Sequence, residues 1–138
     1  MRFFDTNILV YSFDASAPEK QQRTLTLIEA GLAAPGSAAI SSQVVQEFLN
    51  LATRKFAVAI PLPARERYLD AVLLPLCQHF PNPSHYQRAL YLQARFQLPW
   101  YDSLIVASAQ ALHCTELFSE DFQHGQRFDQ LTVRNPFQ

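Results

Sequence analysis

Apolar positions along this chain recur with two different periods. Phe3-Phe4, residues 37–40, Leu117-Phe118 and Leu131-Thr132-Val133 form short runs bounded by polar or turn-forming residues, the mark of buried strands. Between them the spacing is helical: Leu25, Ile28 and Leu32 share a face, as do Val44, Phe48 and Leu51, then Leu69, Val72, Leu73 and Leu76, then Leu104, Ile105, Ser108 and Leu112. The pattern predicts a strand over 2–5 and a helical start at Asn7. A helix from Pro18, with Pro in its first turn and Glu19 early, ends at 33–36. A small strand over 37–40 leads into a helix capped by Ser41 or Ser42 and running to about Arg54. Pro61 and Pro63 break the chain before a helix over 64–77, a brief strand at His79-Phe80, and helices over 84–96 and 100–112. Leu117-Phe118 then delivers Ser119-Glu120-Asp121, and Leu131 to Val133 reads as an edge strand before Pro136. Strands alternating with helices imply an α/β fold with a parallel sheet, right-handed crossovers and helices on both faces.

Four acids break this pattern. Asp5, Glu47, Asp102 and Asp121 sit at the ends of apolar strand-like runs or inside apolar helical stripes. Strand ends and helix starts converge on one edge of a parallel sheet, the edge where ligands bind. Taken singly, each acid admits a plain structural role. Asp5 can cap a helix, Asp102 can sit in a first turn for the helix dipole, and Asp121 can belong to a polar turn. Glu47 is harder to place so, because it shares a face with Val44, Phe48 and Leu51, where an unpaired carboxylate is costly. It is expected to be buried there. Four carboxylates on one edge repel one another unless a divalent cation joins them, and an oxygen-only set suits Mg²⁺ or Mn²⁺ where zinc would usually bring His or Cys.

Composition narrows the setting. The 138 residues, 49% hydrophobic with three glycines, fit one compact domain with no linker or repeat. Eleven Lys and Arg against twelve Asp and Glu give a net charge of -1, so nothing draws a polyanion to the whole surface. A nucleic acid would need a local basic patch, for which Arg54-Lys55 and Arg65-x-Arg67 are the densest candidates; solvated helix ends explain them equally well. The chain reaches Asp5 before a secretory apolar region can form, and no apolar run approaches a membrane span, which predicts a cytoplasmic chain. Cys77 and Cys114 lack a metal-ligand spacing and read as free thiols.

The acidic segments, in order, carry a resemblance. Phe4-Asp5-Thr6-Asn7-Ile8-Leu9, Val44-Val45-Gln46-Glu47-Phe48, Tyr101-Asp102-Ser103-Leu104-Ile105 and Ser119-Glu120-Asp121-Phe122 resemble the successive acidic motifs of PIN domains, with the closest likeness to VapC-type toxins of toxin–antitoxin pairs. The likeness runs from Arg2 to Phe137. It implies a single PIN domain over 1–138, three layers α/β/α around a parallel sheet of four to five strands, and an Mg²⁺- or Mn²⁺-dependent endoribonuclease. By the same likeness Asp5, Glu47, Asp102 and Asp121 carry the metal site, Asn7 and Ser119 support it, and Glu120 faces solvent. The resemblance also implies a homodimer and a small antitoxin partner whose carboxy-terminal segment occupies the active-site groove. RNA would be cut in single-stranded loops, leaving a 5′-phosphate and a 3′-hydroxyl.

Two other classes compete. A phosphoacceptor receiver domain also gathers acids at the carboxyl edge of a parallel sheet, but it wants paired acids after the first strand, where Phe4 precedes Asp5. A catalytically silent module of the same fold would bind only a protein partner. His79, His85, His113 and His124 are each isolated in sequence, and Trp100-Tyr101 beside Asp102 either stacks on a base or packs the helix start.

Overall fold

A computed structural model describes residues 1–54 and 59–138. Its centre is strand β1, Arg2–Phe4, whose Phe3 and Phe4 project to opposite faces and are both buried, as a strand covered on two sides requires. Strands β2 (Ala38–Ser41) and β4 (Glu116–Phe118) flank it in parallel, pairing Arg2 with Ala38 and with Glu116. β3 (Cys77–His79) lies outside β2, and β6 (Leu131–Arg134) lies parallel outside β4. The sixth strand, β5 (Arg127–Phe128), runs antiparallel to β6, giving the order β3-β2-β1-β4-β6-β5. The edge position expected for residues 131–133 is therefore taken by β5, and the sheet has six strands where four to five are expected.

Helices flank this sheet. α1 (Thr6–Val10) follows β1 directly and runs into a 3₁₀ turn at Tyr11–Phe13. α2 (Pro18–Ala33) starts with Pro18 at its first position and Glu19 in the first turn, both favoured there. Gly31 lets it lie close on the sheet, since a Cβ there would stand 2.8 Å from the Cβ of Ala38. α3 (Ser42–Leu51) is capped by Ser41, whose Oγ accepts from the Val44 amide. It ends three residues before Arg54, and Lys55 of the expected basic pair lies outside the described residues.

The helix expected over 64–77 is present but interrupted. α4 (Leu62–Tyr68) opens into a π turn at Leu69–Leu73 before α5 (Leu74–Leu76), and Cys77 already belongs to β3. Pro75 lacks an N–H and its ring crowds the carbonyl four residues back, so widening the preceding turn is the local remedy. α6 (Pro83–Phe96) is capped by Asn82, which accepts from the His85 amide at 2.9 Å, and stops at Gln97 in the left-handed region. α7 (Trp100–Ala111) is buried from Ser103 to Ala109, the result of lying between α6 and the sheet. Among the described residues no helix is long and apolar enough to cross a membrane, and both cysteines are free.

The strand order places the ligand edge. From β1 the chain moves outward through β2 and β3, then returns to β4 on the other side of β1. The connections leave β1 and β4 in opposite directions, so a crevice opens past their carboxyl ends. Asp5 is the first residue beyond β1, and Ser119 is the first beyond β4.

Candidate metal centre and active site

Asp5 continues the β1–β4 ladder, its amide donating to the Phe118 carbonyl at 3.0 Å, and then caps α1. The residue is buried, 4% exposed. Oδ1 accepts from the Thr6 amide at 2.8 Å, while Oδ2 accepts from Ser119 Oγ at 2.8 Å and from Asn7 Nδ2 at 3.4 Å. The capping role and the site role thus fall on one residue.

Ser119 is completely buried and uses its whole hydrogen-bonding capacity. Besides donating to Asp5, its Oγ accepts from Asn7 Nδ2 at 3.3 Å and from the Asp121 amide at 3.0 Å. Asn7 Oδ1 accepts from the Glu120 amide at 3.2 Å. Asn7 and Ser119 therefore bind the turn after β4 to the turn after β1.

Glu47 reaches the same region from α3. Its Oε1 accepts from Thr6 Oγ1 at 2.8 Å, so Thr6 touches Asp5 through its amide and Glu47 through its hydroxyl. Glu47 is half-buried and opens into a cleft, where the sequence expectation is full burial. Val44 and Phe48 take the buried side of α3 instead. Asp102, in the first turn of α7, is also half-buried, and Asp121 is exposed.

All four acids line one cleft of about 540 Å³, together with Asn7, Gln43, Tyr101 and Glu120. Thr6 and Gln43 are the contributors that sequence pattern misses. Thr6 lies inside the first acidic segment but reads as filler, and Gln43 is one helical turn before Glu47 on α3. Tyr101 is two-thirds exposed at the rim, whereas Trp100 is partly buried against the core.

Burial raises the Asp5 carboxyl from 3.8 to about 7; Ser119 and Thr6 hydrogen bonds oppose the rise and the charges of Asp121 and Glu47 add to it. Asp102 is raised by its own burial and then by Asp121 and Glu47. The smaller, coulombic part of each rise comes from like charges facing one cleft. None of the four forms an ion pair with a described Lys, Arg or His. Glu120 differs: it is tied to Lys20 Nζ at 2.9 Å on the cleft wall, which corrects the expectation that it faces solvent.

Among the described residues no three His, Cys, Asp or Glu side chains are drawn together as a finished metal cluster. The donor chemistry nevertheless fits a hard divalent ion: the acids are oxygen donors, none is paired with a described protein cation, and one is buried at an ionisation cost that a metal would offset. No His lines this cleft. His124 Nδ1 accepts from the Asn135 amide at 3.0 Å, and His79 packs on His85 with ring centres 4.6 Å apart. The larger cavity, about 800 Å³ between α6, α7 and the β5–β6 turn, holds His79, His85 and His113, but its single acid, Asp129, is paired with Arg88 at 3.0 Å. The uncompensated charge lies in the smaller cleft. Arg65, of the second basic candidate, points its Nε into the Ile60 carbonyl at 2.9 Å.

A doubly wound, mostly parallel sheet with acids from β1, α3, α7 and the end of β4 around its switch point defines a class of α/β proteins that place an acid-lined cleft on the carboxyl edge. The third acid rides on a helix, which separates this arrangement from a receiver domain. The family model described as PIN domain matches residues 2–129, and the chain belongs to the PIN domain family. Its fold is similar to that of a toxin–antitoxin complex from Klebsiella pneumoniae, with a TM-score of 0.72 at 22% identity over 99% of this chain and 98% of that one. It is also similar to the crystal structure of FitAcB from Neisseria gonorrhoeae, with a TM-score of 0.65 at 18% identity over 99% of both chains. No curated protein sequence matches the chain.

Proposed function

We propose that residues 1–138 act as one PIN domain that cleaves RNA with Mg²⁺ or Mn²⁺, and that the chain is a VapC-type toxin held in check by an antitoxin. One observation carries this reading: Asp5, Glu47, Asp102 and Asp121 face a single cleft at the switch point, and among the described residues none of them is paired with a Lys, Arg or His. PIN domains are in general nucleases that use divalent metal ions, which supports it.

In this mechanism Asp5, Glu47, Asp102 and Asp121 hold the metal. A bound ion would supply a lowered pKa for a water and would offset charge on the phosphodiester oxygens. Ser119 and Thr6 fix the orientation of Asp5, and Thr6 also fixes Glu47. Asp121 takes its position from the Ser119 hydrogen bond to its amide. No protein nucleophile is required, and none of the four His is placed to supply a proton in the cleft. The cleft itself repels RNA, so substrate binding depends on the metal.

The partner proposal rests on the fold likeness to a toxin–antitoxin complex. A homodimer follows the same reading, with Phe80, Leu90 and Tyr91, each more than half exposed, as apolar surface for a second copy to cover. A cytoplasmic setting completes it. The test is cleavage of single-stranded RNA with Mg²⁺, with chelator, and by Asp5→Asn. Growth of cells expressing the chain with and without the neighbouring gene is measured alongside. Metal-dependent cleavage lost in Asp5→Asn, with growth arrest relieved by the neighbour, is expected. Full cleavage in chelator overturns the metal mechanism. A silent binding module would show no cleavage under any condition.

A further inference from the structure

Beside the acidic cleft lies a second cavity of about 250 Å³, at the carboxyl ends of β2 and β3. Gln43 and Tyr101 belong to the walls of both, and Gln43 Nε2 donates to the Tyr101 carbonyl at 3.2 Å across the ridge between them. This cavity gathers the orphaned polar atoms of the described residues. Among the described residues three buried side-chain atoms lack any hydrogen-bond partner: Gln43 Oε1, His85 Nδ1 and Ser108 Oγ. All three residues line it. Ser108 is 1% exposed and His85 8%.

Buried polar groups are almost always paired, because each one left alone costs roughly 1–3 kcal/mol. Three such residues around one cavity make it a place where a bound molecule with donors and acceptors on its edge gains hydrogen bonds. Their chemistry describes that molecule. The donation to Tyr101 fixes the Gln43 amide with its oxygen free, so it wants a donor. A serine hydroxyl gives or takes. His85 is pushed toward its neutral form by burial and by His79, so its ring offers a donor on one nitrogen and an acceptor on the other. Trp100, Tyr86 and Tyr101 supply aromatic surface around these atoms, with Tyr86 and Tyr101 about half to two-thirds exposed at the mouth.

We propose that this cavity is a nucleobase pocket, which reads one unpaired base of the RNA while the neighbouring phosphodiester lies at the acidic cleft. A planar base with donors and acceptors on its edge meets the three polar atoms, and the aromatic rings meet its faces. The inference rests on the ribonuclease reading for its substrate class.

Trp100 is the sole tryptophan of the chain, so its emission reports on this pocket. The Asp5→Asn protein in Mg²⁺ is titrated with short single-stranded RNAs and with the same strands made abasic at one position in turn. Quenching is expected to be lost at one abasic position. Wild-type protein should cleave that abasic strand at least tenfold more slowly than the parent. Ser108→Ala and His85→Phe should lessen base preference at that position about threefold to tenfold. They should cleave the abasic strand at the wild-type rate. Ser108→Ala should also melt no lower than wild type, since it removes an unpaired hydroxyl, and this separates the pocket from a packing role. Cleavage that is indifferent to abasic sites at every position, or unchanged base preference in both variants, overturns the pocket and leaves the nuclease standing. Base-dependent quenching without cleavage of any RNA leaves the pocket standing and overturns the nuclease. Quenching by a peptide of the neighbouring gene product and by no RNA assigns the cavity to a protein and overturns the proposal.

Discussion

Ser119 Oγ lies 2.8 Å from Asp5 Oδ2 and 3.0 Å from the Asp121 amide, so one buried hydroxyl sets two of the four acids from neighbouring strand ends. Ser119→Ala removes a donor from Asp5 and leaves the Asp121 amide and one Asn7 hydrogen without their acceptor. A buried polar group left without its partner costs about 1–3 kcal/mol, and less where water reaches it as at these part-buried bonds, while support of this kind around a metal is worth about 10–100-fold in affinity or activity. We predict a melting temperature lower by several degrees and RNA cleavage at least tenfold slower. Thermal melts and cleavage rates both within error of wild type would remove Ser119 from the support of the site.

Glu47 and Glu120 test which acids matter. Glu120 is neutralised by Lys20, whose Nζ also stands 4.8 Å from the Tyr11 ring centre and 5.3 Å from that of Phe137, which makes it part of a surface clasp. Among the described residues the Glu47 side chain has only the Thr6 hydroxyl. Glu47→Gln keeps an acceptor for Thr6 and loses the charge, so cleavage should fall by about 100-fold or more, the several kcal/mol expected from a lost metal ligand, while melting in chelator stays level. Glu120→Gln should change cleavage by no more than a few-fold. Equal losses at both positions would shift the metal site toward Glu120.

Much of this was open to reading in the chain. Strand β1 and the Asp5 that follows it are legible from a two-residue apolar run before a helix start, and β4 with Ser119 repeats that logic. What local pattern does not carry is pairing across distance. Glu120 finds Lys20 a hundred positions away, and nothing near Glu120 marks it as paired. Strand β5 is two residues long, and its antiparallel turn runs through Asp129 at positive φ, a conformation that an Asp tolerates without announcing. Glu47 is legible as misplaced on an apolar face, but its half-burial depends on where α1 docks against α3. Ser108 looks like one more position on an apolar stripe, and only the folded chain shows its hydroxyl without a partner.

The growth phenotype follows from the proposed toxin role. Expression of wild type alone should slow growth, and Asp5→Asn at the same level should not. Normal growth with abundant, cleavage-competent wild type would point to a housekeeping PIN nuclease.

The acids also set how stability depends on pH. Asp5 is held near 7 by its burial, against 3.8 in an unfolded chain. Between these values the folded protein keeps a proton that the unfolded chain has released, so stability falls as pH rises, by at most about 1.4 kcal/mol per pH unit for this one group. Below about pH 4 both states are protonated and the contribution is complete. Asp102, raised by burial and by Asp121 and Glu47, adds to the same slope. In chelator the melting temperature should therefore decline from pH 4.5 to 7.5. Asp5→Asn should flatten the decline and melt above wild type at pH 7.5, since Asn also caps α1 well. Asp102→Asn should do so more weakly, and the exposed Asp121→Asn least. Mg²⁺ reverses the slope, because it binds the ionised carboxylates and stabilises only the folded state that holds them. Its stabilising shift should be small at pH 5 and large at pH 8 in wild type, and lessened in each Asn variant. A wild type whose melting temperature in chelator is level across this range, or an Asp5→Asn protein with the same slope, would mean that Asp5 is ionised and satisfied without metal.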